Sequence, residues 1–165
     1  MHQHPQHATG CRRNRYTHKG REGRPIWENE VVAKLQISAD REQMLRALMN
    51  LCRNAFEAVT GQSDGRITIT AGLKANCATV YVADNGPGLP DIARKNLFQP
   101  FKGSARAGGT GLGLAISRDL IRAHGGDLTL HKSDEYGTTF RIKFPSNVHE
   151  IDQVRARKAS SERSA

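Results

Sequence analysis

Two asparagines four residues apart, Asn50 and Asn54, stand in the stretch "MLRALMNLCRNAFEAV" over residues 44–59. A spacing of four is about one helical turn, so both carboxamides leave a helix on the same side, which Glu57 shares. Leu45, Leu48, Cys52, Phe56 and Val59 fall within an apolar stripe at helical spacing. A solvated face is one account of the asparagines, although asparagine is a poorer helix former than lysine or glutamine. The chemical account is that a neutral carboxamide oxygen can ligate Mg²⁺, an ion that keeps several waters and binds phosphates.

A second candidate is Asp84, the last residue of the β-prone run "ATVYVAD", followed by the turn "NGPG". Asn, Gly and Pro make an ordinary strand exit. A carboxylate at the end of a buried strand is costly unless paired, and the amino group of adenine would be a suitable donor. Gly86 and Gly88 would then let backbone approach a purine closely. The third candidate is "GGTGLGLAIS", four glycines placed just before an apolar helix. Glycine in a helix costs about 1 kcal/mol against alanine. A flexible loop leading into unpaired helix N–H groups is a site for phosphate. Two nucleotide motifs are excluded: there is no GxxxxGK[ST], and Ile116 stands where the dinucleotide fingerprint requires Gly or Ala.

The elements that must position these residues follow from the remaining pattern. "VVAKLQI" (31–37) reads as a short strand. Asp40 and Gln43 resemble a capping box opening a helix that runs to about Thr60. "RITITAG" and "ATVYVAD" read as a strand pair, "DIARKNLF" as a short helix, and Leu112 to His124 as a helix closed by Gly125 and Gly126. "DLTLHKS" and "TTFRIKF" are two further strands. Helices and strands mix without strict alternation, which favours an α+β two-layer sandwich over a doubly wound sheet.

The chain has 165 residues, room for one domain with a core; hydrophobic residues are 37% and the formal net charge is +9. Much of the charge crowds a leader over residues 1–26, read as disordered, with a polar tail over 147–165. The basic charge therefore gives no reason to expect a nucleic-acid partner. Cys11, Cys52 and Cys77 form no CxxC pair and read as free thiols in a reducing cytosol. No apolar run approaches the ~20 residues of a membrane span, so no membrane contact and a cytoplasmic location are expected.

Taken in order, "LMNLCRNAFEAV", "VADNGPGLP", "LFQPF", "GGTGLGLAIS" and "YGTTFRIKFP" resemble the N box, first glycine box, F box, second glycine box and GTxF segment of sensor histidine kinases. The region 27–146 is thus similar to the ATP-binding catalytic domain of these kinases, a Bergerat-fold (GHKL) ATPase. The resemblance implies a mixed sheet of about five strands with about three helices on one face. It also implies ATP and Mg²⁺ as ligands, with Asn54 holding the metal and Asn50 supporting the phosphates. Asp84 would accept from the adenine amino group, Thr138 would assist it, and Gly86 and Gly88 would shape the purine pocket. Gly109, Thr110, Gly111, Leu112, Gly113 and Leu114 would wrap the phosphates. Phe98 and Phe101 would anchor the loop "FKGSARAGG", from which Lys102 and Arg106 could reach the terminal phosphates.

Departures accompany the resemblance. Glu57 stands where many histidine kinases carry Lys, Ala58 where an aromatic residue is frequent, and Asn50 where the hydrolysing relatives place a catalytic Glu. A carboxamide cannot act as a general base near neutral pH, which favours phosphoryl transfer to an outside nucleophile over hydrolysis. His2, His4, His7 and His18 lie in no H box, and His124 suits a helix end. The expectation is a kinase module, inactive alone, whose acceptor histidine sits on a dimerisation hairpin in cis of a longer parent or in trans, with a response regulator downstream. A non-catalytic ATP-binding regulatory module is the alternative.

Overall fold

The computed structural model describes residues 13–18, 24–32, 35–74, 77–101 and 111–145. Six strands form one mixed sheet: β1 (Arg13–His18), β2 (Ile26–Val32), β3 (Arg66–Lys74), β4 (Cys77–Asp84), β5 (Asp127–Asp134) and β6 (Gly137–Pro145). Their spatial order is β1-β2-β3-β4-β6-β5. Only the β2–β3 pair is parallel among these neighbours. Parallel strands need a crossover, and helix α1 (Arg41–Val59) supplies it; α2 (Asp91–Lys95) and α3 (Gly113–Ala123) follow in chain order. Helices α1 and α3 pack on each other and on the sheet, giving the two-layer α+β sandwich expected.

Helix α1 starts where the Asp40 carboxylate accepts the Gln43 N–H at 2.8 Å, a cap worth about 1 kcal/mol. Its buried residues are Met44, Ala47, Leu51, Ala55 and Val59, which corrects the stripe read from sequence. Leu45 is 55% and Phe56 41% exposed. The small Ala47 and Ala55 lie on the buried side, and the Ala47 carbonyl stands 3.4 Å from Ser117 Oγ of α3, a closeness that a ranking by side-chain size misses. Leu51, Val59, Ile67, Val82, Ile121 and Leu128 are fully buried between the layers.

Two strands differ from expectation. The run "VVAKLQI" is not a strand as a whole: β2 lies earlier, its register with β3 running from Ile26↔Arg66 to Val31↔Ala71. The Ile26 N–H also donates to the Gly65 carbonyl at 2.7 Å. Leu35 and Ala39 instead pack against the core as the chain crosses to α1. The sixth strand, β1, falls inside the segment read as a structureless leader and pairs antiparallel with β2. "RNRYTH" carries no apolar alternation, because an edge strand can be held by backbone hydrogen bonds alone.

Candidate functional site

β4 ends at Asp84, opposite Ile67 of β3 on one side and Thr138 of β6 on the other. The Asp84 carboxylate accepts two backbone hydrogen bonds, from Gly86 at 2.9 Å and Thr138 at 3.3 Å. Both fall on Oδ1, so Oδ2 takes neither. Burial pushes this carboxyl above the usual range, against the lowering pull of the two N–H groups. Asn85 then staples the loop to the start of β3: its Oδ1 accepts the Arg66 N–H at 2.6 Å and its Nδ2 donates to the Asp64 carbonyl at 3.0 Å. From the far side the β5–β6 turn closes in. A side chain at Gly137 (φ 138°) would run into the Asp84 carbonyl, and one at Gly88 (φ 77°) into that of Asp134. Ser133 accepts the Leu89 N–H at 2.8 Å.

α3 begins differently. Leu112 is its N-cap residue and offers no side-chain bond, so among the described residues no side chain caps the first-turn N–H groups, which have no partner within the helix itself. What fixes this turn is α1. The Asn50 carboxamide donates to the Gly113 carbonyl at 3.4 Å and to Ser117 Oγ at 3.2 Å. Ser117 is fully buried, and its hydroxyl lies 2.8 Å from the Gly113 carbonyl and 3.4 Å from that of Ala47.

One stripe of α1 joins the two corners. Asn50, Asn54 and Ala58 follow at intervals of four. Asn50 meets Gly113, while a Cβ on Gly86 would stand 2.9 Å from the Ala58 Cβ. Eight residues of helix separate the corners by about 12 Å along the axis, the scale of a nucleotide, with the half-buried Asn54 midway. Among the described residues no group of three His, Cys, Asp or Glu side chains could hold a metal ion. A carboxamide oxygen such as that of Asn54, together with ligand oxygens, is a donor set that suits Mg²⁺.

Residues 39–148 match the family of histidine kinase-, DNA gyrase B- and HSP90-like ATPases. The chain belongs to this ATPase family. It is 39% identical over 108 residues to the C4-dicarboxylate transport sensor protein DctB of Rhizobium meliloti (strain 1021), covering 66% of this chain and 17% of that one. To the signal transduction histidine-protein kinase AtoS of Escherichia coli (strain K12) it is 37% identical over 111 residues, 67% of this chain and 18% of the relative. The chain thus spans under a fifth of the length of either. Among solved structures, a mycobacterial sensor histidine kinase, MprB, superposes with a TM-score of 0.62 at 29% identity, covering 72% of this chain and 82% of that. The catalytic domain of the histidine kinase ThkA superposes with a TM-score of 0.57 at 33% identity, covering 67% and 70%.

Of the residues singled out from sequence, this ATPase domain brings Asn50, Gly111, Leu112, Gly113 and Leu114 to the α3 corner, and Asp84, Gly86, Gly88 and Thr138 to the β4 corner. Lys102, Arg106, Gly109 and Thr110 lie outside the described residues. Thr138 reaches Asp84 through its backbone N–H, while its hydroxyl lies 3.4 Å from Ser133 Oγ. Phe98 packs against the core and Phe101 is 76% exposed at φ 63°, while residues 102–109 of the loop they were expected to anchor lie outside the described residues. Glu57 Oε1 accepts from Arg53 Nε at 3.0 Å. His124 Nδ1 lies 2.8 Å from the Leu120 carbonyl at the end of α3, a structural position. Sequence reasoning missed Ser117, Gly137 and Ser133. A serine four residues after Gly113 on the buried side of an apolar helix was the signal for the first.

Proposed function

We propose that this chain is the ATP-binding catalytic domain of a sensor histidine kinase, passing the γ-phosphoryl group of ATP to a histidine on a dimerisation hairpin outside the described residues. The observation that carries this reading is the α1 stripe, which sets the Asp84 carboxyl, with Oδ2 outside its two backbone bonds, and the helix start at Gly113 one nucleotide length apart. Asp84 Oδ2 would accept from the adenine amino group while Oδ1 stays tied to Gly86 and Thr138. The first-turn N–H groups of α3 would hold the phosphates. Asn54 would hold Mg²⁺, which when bound neutralises phosphate charge. Lys102 and Arg106 would meet the terminal phosphates.

The position of Asn50 supports transfer over hydrolysis. Its amide donates into α3, and a carboxamide takes no proton from water near neutral pH. The incoming nucleophile is then an imidazole nitrogen: a P–N bond forms, the bond to the β-phosphate oxygen breaks, and ADP leaves. Positioning and charge stabilisation supply the catalysis. ThkA, 30% identical over 72% of this chain with a TM-score of 0.58, has been solved in complex with the response regulator protein TrrA. We extend that to a response regulator as downstream partner here. No helix among the described residues is long and apolar enough to cross a membrane, and we place the domain in the cytoplasm.

The test is calorimetric titration of Mg·ATP, followed by radiolabelled transfer to acceptor hairpins from candidate kinases. Saturable binding with label on an acceptor histidine is expected. Binding without transfer to any hairpin would sink the kinase half of the reading, and no binding by the folded chain would sink all of it.

A further inference from the structure

α3 is fastened on a second side. Arg118, the residue after Ser117, places its guanidinium carbon 4.5 Å from the centroid of the Phe98 ring. The same guanidinium donates through Nε to Asp127 Oδ1 at 3.4 Å, and Arg122 Nε donates to that oxygen at 2.9 Å. Arg122 is the closer partner of Asp127, so Arg118 is free to spend the flat face of its guanidinium on the ring. Its side chain is 27% exposed, against 51% for Arg122. A cation over an aromatic face is stronger when shielded from water. Phe98 needs such a hold, because residues 96–101 form a turn outside α2 and Phe98 is only partly buried against the core.

We propose that Arg118 is a positioning residue for the phosphate end of the site: oriented by Asp127, it pins α3 to Phe98 and so holds the first turn of the helix in place. Ser117 and Arg118 are about 100° apart around the helix. Asn50 therefore grips α3 from the side of α1, and Phe98 grips it from another. With one grip released, the N–H groups of the first turn are held less firmly where the phosphates must meet them. The β4 corner, built on other elements, is untouched. The inference rests on the nucleotide reading above.

The experiment compares Mg·ATP with adenosine, which lacks phosphates, by calorimetry on the full chain. The variants are Arg118→Met, Arg118→Lys, Phe98→Leu and the double variant Arg118→Met/Phe98→Leu. Arg118→Met and Phe98→Leu should each weaken Mg·ATP by about fivefold, with adenosine affinity kept. The double variant should be no weaker than the worse single one, since both remove one contact. Arg118→Lys keeps a cation at the ring and should recover much of the loss. Should Arg118→Met fail to fold, Phe98→Leu and Arg118→Lys carry the same comparison. Additive losses, equal losses for adenosine, or no loss in either variant would each overturn the proposal. A wild type that binds neither ligand would overturn the nucleotide reading together with it, whereas wild-type binding with unchanged variants overturns this inference alone.

Discussion

At Asp84 the chain is held largely by its own backbone: two N–H groups on one carboxylate oxygen, and two glycines whose missing side chains let the β5–β6 turn lie against the loop. At Asn50 the grip is made by side chains, a carboxamide and a buried hydroxyl reaching between two helices. The difference separates two jobs. The β4 corner cannot shift without opening the sheet, which suits a rigid, shape-reading end of a ligand. The α3 corner depends on a few side-chain bonds, each modest in net worth, so helix and sheet can be loosened there independently.

The strongest way to break this contrast is Gly137→Ala. Its methyl group would occupy the place of the Asp84 carbonyl, and we expect a loss of about 3 kcal/mol or more in urea unfolding. Near-normal stability would mean that the turn is not locked as described. Next comes Asp84→Asn, which keeps an oxygen for the Gly86 N–H but removes the charge. Nucleotide affinity should fall by about 30-fold in calorimetry, about 2 kcal/mol, with the fold retained. Ser117→Ala then probes the side-chain corner. It takes away an acceptor of Asn50, and should cost about 1–2 kcal/mol of stability and weaken Mg·ATP more than adenosine. If adenosine suffers equally, the corners are not independent.

The smallest effect sharpens the comparison through pH. Burial raises the Asp84 carboxyl, so its proton returns at a higher pH than for an ordinary aspartate. The ionised form is the adenine acceptor, so affinity should be full above that raised value and decline on acidification, with the acidic limb absent in Asp84→Asn. Stability moves the other way. A carboxyl raised above its unfolded value costs the fold while ionised, and that cost is relieved as pH falls through the folded value. Asp127 has the opposite sign. Its burial is outweighed by the hydrogen bond from Arg122 and the charge of Arg118, so its carboxyl lies below the usual range. Its contribution is present above the unfolded value and lost only as pH falls through the lowered one.

Much of the fold was legible in the sequence because its signals were local. The Asp40 cap, the alternation in β3 and β4 and the glycines after α3 each act within a few residues. The displaced β2 and the unexpected β1 were not legible, since what selects them is a partner strand distant in sequence, as in Ile26↔Arg66. The same holds for the site. Asn50, Asp84 and Gly113 carry chemistry that their type announces. The hidden partners were plain residues whose meaning is spatial: Ser117 under Asn50, Ala58 beside Gly86, and Gly137 against Asp84. The apolar stripe of α1 was misplaced because its buried side uses alanine at two positions, leaving the larger Leu45 and Phe56 outside.

The parallel pairing of β2 with β3 has a consequence for the order in which the molecule assembles. β3 with β4 and β5 with β6 close across short turns, whereas Ile26 finds Arg66 only after the whole of α1 has been laid between them. Ordering that long connection carries an entropic cost which the short hairpins avoid. The hairpins, together with the two helices over them, can therefore condense around Leu51, Ile67 and Val82 before β2 docks. The amides of β2, and those of the edge strand β1 that joins the sheet only through it, would then be the last in the sheet to gain protection from hydrogen exchange during folding, and the first to lose it when that edge opens.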